Sequence, residues 1–276
     1  MANWLSSLPL PAQWRDHDVE DRVNRLELPF NHYGIDPFGV EKEELIRFFS
    51  VLAWMYKRYF KVHAHGVEHV PKRGRGMIVG NHSGGVALDG AMILCSLLLE
   101  LEPPRLAHGM AEKFLSMLPF ASMWSARTGQ LCGLPEHAER LLGDERLLMV
   151  FPEGARGTAK LYWERNSLVH FGNGFVRLAM ATKSPIIPAA FIGGGSAIPT
   201  IANLYKIGKL FGAPYIPVTP WIFPIPRPVP LDVYYGEPIL LEGSPNEEDA
   251  VIEAHVERVK SALKSLIDQH KDDVRA

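Results

Sequence analysis

The sequence predicts an α/β fold, a mainly parallel sheet flanked by helices, preceded by an N-terminal amphipathic helical extension. Two observations carry this reading. Short apolar runs that end in glycine or polar residues alternate with segments of helical periodicity, the pattern of parallel strands joined by crossover helices. The 276 residues are 47% hydrophobic and 22% charged, which suits one enlarged domain around a sizeable core. No internal repeat, low-complexity tract or convincing linker divides the chain. Residues 1–61 are therefore read as the lead and a membrane-facing helical extension, and residues 62–276 as a single structural unit.

Residues 1–40 form a Pro-interrupted lead with little periodicity. Over 41–61, "EKEELIRFFSVLAWMYKRYFK", Leu45, Phe48, Phe49, Leu52, Met55, Tyr56 and Tyr59 recur at helical spacing. Glutamates at its start and Lys57, Arg58 and Lys61 at its end complement the helix dipole. "GMIVGN" (76–81) reads as a short buried strand, and Asp89 to about Leu101 as a Leu- and Met-rich helix. "PRLAHGM" (104–110) is the next strand. "LPEHAERLLGDERL" opens a helix with Pro135 in its first turn and leads into the strand "LLMVF". A helix over 172–183 and a strand over 185–193, "PIIPAAFIG", follow, and then a strand over 231–239. The C-terminal helix is signalled by Ser244 as N-cap, Pro245 at the first position and Glu247 for a capping box, ahead of a stripe from Val251 to Leu266.

The bulk properties exclude several classes. A net charge of −2 lacks the basic excess of a nucleic-acid binder. Cys95 and Cys132 stand in apolar surroundings without metal or redox spacing and read as free buried thiols. The N-terminus has no basic segment followed by a long apolar core, so no secretory signal is expected. No stretch of eighteen uninterrupted apolar residues marks a transmembrane helix.

Two polar clusters stand at strand ends. In "GNHSGGVALDG" (80–90), Asn81 and His82 leave the first strand and Asp89 follows seven residues after the histidine. A histidine acts as general base near neutral pH when a carboxylate holds one ring nitrogen and frees the other. Gly84 and Gly85 permit the reversal that would bring Asp89 back to His82; the competing reading is an ordinary glycine turn. In "LLMVFPEGARG" (147–157), Glu153, Gly154 and Arg156 stand where a strand opens into a turn. There the backbone can approach a ligand, and an arginine can grip a phosphate with a bidentate fork. The competing reading is a surface ion pair.

"NHSGG…D" followed by "FPEGARG", with "GQLCGLPEHAERLL" (129–142) between them and "PIIPAAFIG" after, resembles the glycerolipid acyltransferase family of the lysophosphatidate acyltransferase type over roughly residues 60–240. The resemblance implies that His82 is the general base and Asp89 its orienting partner. It puts Glu153, Gly154 and Arg156 on the acceptor, with Arg156 on a phosphate if there is one, and sets Pro188 near the acyl chain; Asn81 is counted with them as substrate-binding. It further implies direct attack of an acceptor hydroxyl on the thioester of acyl-CoA or acyl carrier protein, with no metal, no cofactor and no acyl-enzyme. Three departures are visible: six residues separate His82 from Asp89 where the family has four, Ala155 replaces the usual threonine, and no arginine stands beside Gly133. The missing arginine leaves room for a neutral acceptor such as diacylglycerol or a long-chain alcohol, as does a faint likeness of "YWERNSLVHFGNGFVRLA" to the branch acting on neutral lipids.

Such an enzyme works at a membrane, and the expected location is peripheral or monotopic on a cytoplasmic membrane face. The helix over 41–61 is wide, aromatic-rich and ends in bases, as interfacial helices do. Lys57, Arg58, Lys61, Lys72, Arg73 and Arg75 suit anionic headgroups. The Pro-rich stretch 201–230 carries Tyr205, Phe211, Tyr215, Trp221 and Phe223 with Lys206, Lys209 and Arg227. It docks on a bilayer, lines an acyl groove or covers the sheet edge. Rival chemistries lack their signatures. There is no G-x-S-x-G elbow for a serine hydrolase and no H-E-x-x-H beside the "HAHGVEH" histidines. A nucleotide binder would need a Walker lysine or G-x-G-x-x-G, and neither is present. A non-catalytic lipid-binding relative is the alternative from another class.

Overall fold

The computed structural model describes residues 15–85, 88–111, 125–210, 212–222 and 224–273. Residues 1–14 of the lead, Val86 and Ala87 of the His–Asp loop, Phe211, Phe223 and the side chain of Cys132 lie outside the described residues. The strands are β1 (His63–His65), β2 (Gly76–Gly80), β3 (Ala107–Ala111), β4 (Leu131–Cys132), β5 (Leu147–Val150), β6 (Ile186–Ile192), β7 (Ala202–Asn203), β8 (Pro217–Val218) and β9 (Asp232–Tyr235). Among the described residues seven of them form one sheet in the order β1–β9–β6–β2–β5–β3–β4, and β7 pairs with β8 in a separate ribbon. The run from β6 to β4 is parallel. β9 lies antiparallel to β6 and carries β1 in parallel on its outer side.

The apolar runs become strands because both faces of the sheet are covered, which favours continuous hydrophobic segments over alternation. In β2, Ile78 turns to one face while Met77 and Val79 turn to the other. The first face is closed by α1 (His17–Asn24), α2 (Lys42–Trp54, continued by a π turn over Met55–Tyr59) and α3 (Leu88–Leu99). The second is closed by α4 (Pro135–Gly143), α6 (Gly174–Thr182) and α9 (Asp249–His270), with the short α5 (Ala155–Thr158) between α4 and α6 in the chain and the short α7 (Gly194–Ala197) after β6. α9 buries Ile252, Val256, Val259, Leu263 and Ile267, each worth about 1.5–3 kcal/mol relative to exposure.

Some boundaries differ from those expected. The strand read over 104–110 begins at Ala107, because Pro103 and Pro104 cannot donate to a ladder. The C-terminal helix begins at Asp249, not at Ser244. The capping contacts do form, with Glu247 accepting from Ser244 N and Ser244 Oγ accepting from Asn246 N, both at 3.2 Å. They close an isolated turn, and the chain is extended again at Glu248 (ψ 148°) before the helix starts. The helix over 41–61 buries Leu45, Ile46, Phe49, Leu52 and Tyr56 in the same core as Ile78, and leaves Val51 and Trp54 exposed. Cys95 is buried with a free thiol. No helix among the described residues is long and apolar enough to cross a membrane.

Candidate active site

Register brings the two clusters together. β2 and β5 are parallel neighbours, and Val79 pairs with Val150. Three residues beyond each stand His82 and Glu153, side by side off the C-terminal edge, where parallel α/β sheets place their ligand crevices. The His82 N–H donates to Glu153 Oε1 at 2.9 Å. On the other side, Gly80 pairs with Ala189 of β6. The Asn81 amide closes the gap there, accepting from Phe191 N at 2.8 Å and donating to Phe191 O at 3.2 Å.

The loop after His82 reverses as the glycines predict. Gly84 and Gly85 take φ of +95° and +79°. A Cβ on Gly84 would lie 2.6 Å from the Lys160 carbonyl oxygen, so both the backbone angle and the space require glycine. α3 then presents Asp89 in its first turn, and Asp89 Oδ2 lies 3.0 Å from His82 Nδ1, with both groups buried. The six-residue separation therefore keeps the His–Asp contact. Asp89 is itself held, accepting from Gly90 N at 2.8 Å and Ser83 N at 3.3 Å. A carboxylate only accepts, so Nδ1 carries the proton and Nε2 carries the lone pair. Among the described residues Nε2 has no hydrogen bond. The imidazole lies flat on Phe151, with ring centroids 4.2 Å apart and planes 13° from parallel. Gly157 passes beneath it, and a Cβ there would come within 2.9 Å of His82 Cβ and 2.7 Å of Glu153 Cβ.

A residue that the sequence did not single out completes the frame. Lys160 Nζ donates to the His82 carbonyl at 2.7 Å and pairs with Glu153 Oε2 at 2.5 Å, both side chains buried. Val169 N also donates to Glu153 Oε2, at 2.9 Å. One buried ion pair thus holds both backbone polar groups of His82, Glu153 taking the N–H and Lys160 the carbonyl. Burial pulls the Lys160 ammonium below the usual lysine range while Glu153 pulls it back up. In sequence nothing distinguishes Lys160 from the surface bases around it.

Asn81 and Glu153, both expected to bind substrate, have side chains engaged with the protein itself in the structure. Gly154 opens the turn before α5 with φ 55° and ψ −152°, a conformation close to one reserved for glycine. Arg156, on α5, is exposed and has no ion pair among the described residues. Pro188 is buried in β6 opposite Val79. Ser83 Oγ lies against Gly194. The histidines of "HAHGVEH" serve separate partners: His65 binds Asp232 at 3.0 Å, and His69 binds the Tyr235 carbonyl at 2.9 Å and Glu237 at 3.1 Å. A cavity of about 570 Å³ bordered by Lys72, Gly74, Arg105 and Arg146 opens at the opposite, N-terminal edge of the strands, away from His82.

The chain is similar to several known proteins. Residues 61–192 match the family model described as Acyltransferase. The chain is 33% identical over 218 residues to an uncharacterized protein of Mycobacterium tuberculosis, covering 75% of this chain and 60% of that protein. It is 28% identical over 212 residues to a Gallus gallus protein named DGAT1/2-independent enzyme synthesizing storage lipids, covering 75% and 59%. The chain thus spans about 60% of the length of these curated relatives. Among solved structures, the 1-acyl-sn-glycerophosphate (LPA) acyltransferase PlsC of Thermotoga maritima superposes with a TM-score of 0.54 over 84% of this chain and 82% of that one, at 19% identity. That likeness is one of fold.

Proposed function

We propose that the chain, whose residues 61–192 match the Acyltransferase model, is a glycerolipid acyltransferase that moves a fatty acyl group from an acyl-CoA or acyl carrier protein thioester to a hydroxyl of a glycerolipid acceptor, at a membrane surface. The observation that carries this reading is the buried His82–Asp89 pair at the C-terminal edge of the sheet, with Nε2 left as a lone-pair acceptor. His82 Nε2 takes the proton of the acceptor hydroxyl as its oxygen attacks the thioester carbonyl carbon. The C–S bond breaks, and the thiolate leaves and recovers the proton from the imidazolium. Asp89 holds the ring in the required tautomer and stabilises the imidazolium as it forms. The Glu153–Lys160 pair fixes the backbone of His82, so the base meets the hydroxyl without reorganising.

Lysophosphatidate or another lysophospholipid is the acceptor that Arg156 supports, an exposed guanidinium without an ion pair among the described residues at the turn beside Glu153. A neutral acceptor, diacylglycerol or a long-chain alcohol, is the second reading. It is favoured by Ala155, by the missing arginine beside Gly133, and by the storage-lipid enzyme among the relatives. Transfer from radiolabelled palmitoyl-CoA to a liposome panel of lysophosphatidate, other lysophospholipids, diacylglycerol and a long-chain alcohol tests both. A labelled lipid product is expected. No product from any acceptor, with either class of thioester donor and the protein folded, would return the chain to a non-catalytic lipid-binding role. Arg156→Ala separates the acceptors. If Arg156 grips a phosphate, KM for lysophosphatidate rises about tenfold or more, the loss of a charge-assisted hydrogen bond. An unchanged KM assigns the site to the neutral acceptor.

A further inference from the structure

The β7–β8 ribbon carries at its tip a short helix, α8 (Tyr205–Leu210), whose polarity is turned inside out. Its buried residue is Gly208, where a Cβ would lie 2.4 Å from Tyr215 Cα. The helix therefore packs backbone against backbone and turns its side chains outward. Tyr205 and Ile207 are exposed, and Leu210 reaches 80%. Leu204 precedes them, and Ile222 and Ile225, 72% and 64% exposed, follow β8. Apolar residues scattered singly over a surface need no explanation, but Leu204, Tyr205, Ile207 and Leu210, all exposed on one short helix and the residue before it, mark a contact surface.

Charge identifies what it contacts. The chain has 31 acidic residues, yet none lies between Glu164 and Asp232. Within that acid-free stretch Lys206 and Lys209 stand exposed on α8 beside the apolar side chains. Exposed leucine and isoleucine interleaved with lysine, with no acid to repel phosphate, match a bilayer surface bearing anionic headgroups. α2 offers less: it exposes Val51 and Trp54, but its other apolar side chains are buried or half-buried against the core. The ribbon is also bound to the candidate site. Asn203 Nδ2 donates to the Ala159 carbonyl at 2.6 Å, and the Tyr215 hydroxyl donates to the Gly85 carbonyl in the His82 loop at 3.3 Å.

We propose that the face formed by α8 and the residues flanking the β7–β8 ribbon docks on an anionic lipid surface and so seats the His82 loop at the membrane. The purpose of that docking rests on the acyltransferase reading, but the docking is measured without turnover. Co-sedimentation is followed with vesicles of phosphatidylcholine alone and of phosphatidylcholine with phosphatidylglycerol. Wild type is expected to bind the mixed vesicles preferentially, and Leu210→Glu and Lys206→Glu each to lose about tenfold in partitioning, with unchanged circular dichroism. Trp54→Glu on α2 is expected to bind as wild type does. Full vesicle binding by both ribbon variants would overturn the proposal. So would a wild-type dimer that Leu210→Glu converts to monomer with vesicle binding intact, because the face would then be a contact between copies of the chain. A protein that binds vesicles through this face and transfers no acyl group would leave the docking standing and remove the proposed chemistry.

Discussion

Lys160 and Glu153 are buried together and share the backbone of His82 between them, so removing one leaves the other as an uncompensated charge. Lys160→Met is expected to cost about 3–5 kcal/mol of stability, read by urea denaturation, and to lower kcat as His82 loses its carbonyl anchor. Adding Glu153→Gln separates the two effects. The double variant is expected to recover part of the stability while kcat stays low, because neither backbone group of His82 regains a charged partner. A Lys160→Met protein with wild-type stability and kcat would show that the clamp does neither job. At this scale the sequence was legible where a residue type announces its chemistry. The glycines between His82 and Asp89 read as a reversal that brings the two together, and the loop reverses and makes that contact. Lys160 was not legible, because its role depends on parallel register placing Glu153 beside His82, and a lone lysine in a turn looks like any solvated one. Asn81 and Glu153 were found for their position at the strand ends, and their side chains bond to the Phe191 backbone and to His82, Val169 and Lys160 respectively.

Helices and strands with strong periodicity were read close to their true extents, since covering both faces of the sheet imposes the apolar pattern that marks them. Elements set by tertiary pairing were not. β1, three residues long, exists because His63–His65 lies along β9, a partner about 170 residues away that no local signal names. The Ser244 capping box forms its bonds and still starts no helix, because the stripe that drives burial begins later in the chain. The tie between the lead and the sheet is also long-range. Asp36 pairs with Arg146 ahead of β5, and Arg146 Nη1 lies 3.3 Å from His108 Nε2 of β3, all three buried. Burial, reinforced by the Arg146 charge, pushes His108 down from 6.5 to about 3. The ring is neutral in the folded chain, while the unfolded chain takes up a proton below 6.5. Stability from this element is therefore complete above that value and drains away as pH falls toward 3. Between about pH 7 and about pH 5 the loss is about 2 kcal/mol. Urea denaturation of wild type beside His108→Gln is expected to show that extra loss in wild type alone. Equal losses in the two proteins would place the acid sensitivity elsewhere.

Across the whole molecule, the parallel run from β6 to β4 puts its loops at one edge, so the strand that ends in Asn81–His82 and the strand that ends at Glu153 must share a site. The fold class and the meeting of the two clusters follow from that rule. The acceptor does not, because it depends on whether Arg156 meets a phosphate. The proposed docking face agrees with the same polarity: the ribbon attaches to the His82 loop through Tyr215, so His82 and the proposed lipid contact lie toward one edge of the sheet. The most direct measurement is the acyl-transfer rate of His82→Ala beside wild type, with palmitoyl-CoA and the acceptor on which wild type is most active. Loss of a general base lowers the rate by about 10²–10⁴-fold, and that fall is expected with an unchanged denaturation midpoint. A folded His82→Ala protein that transfers acyl groups at the wild-type rate would contradict the account.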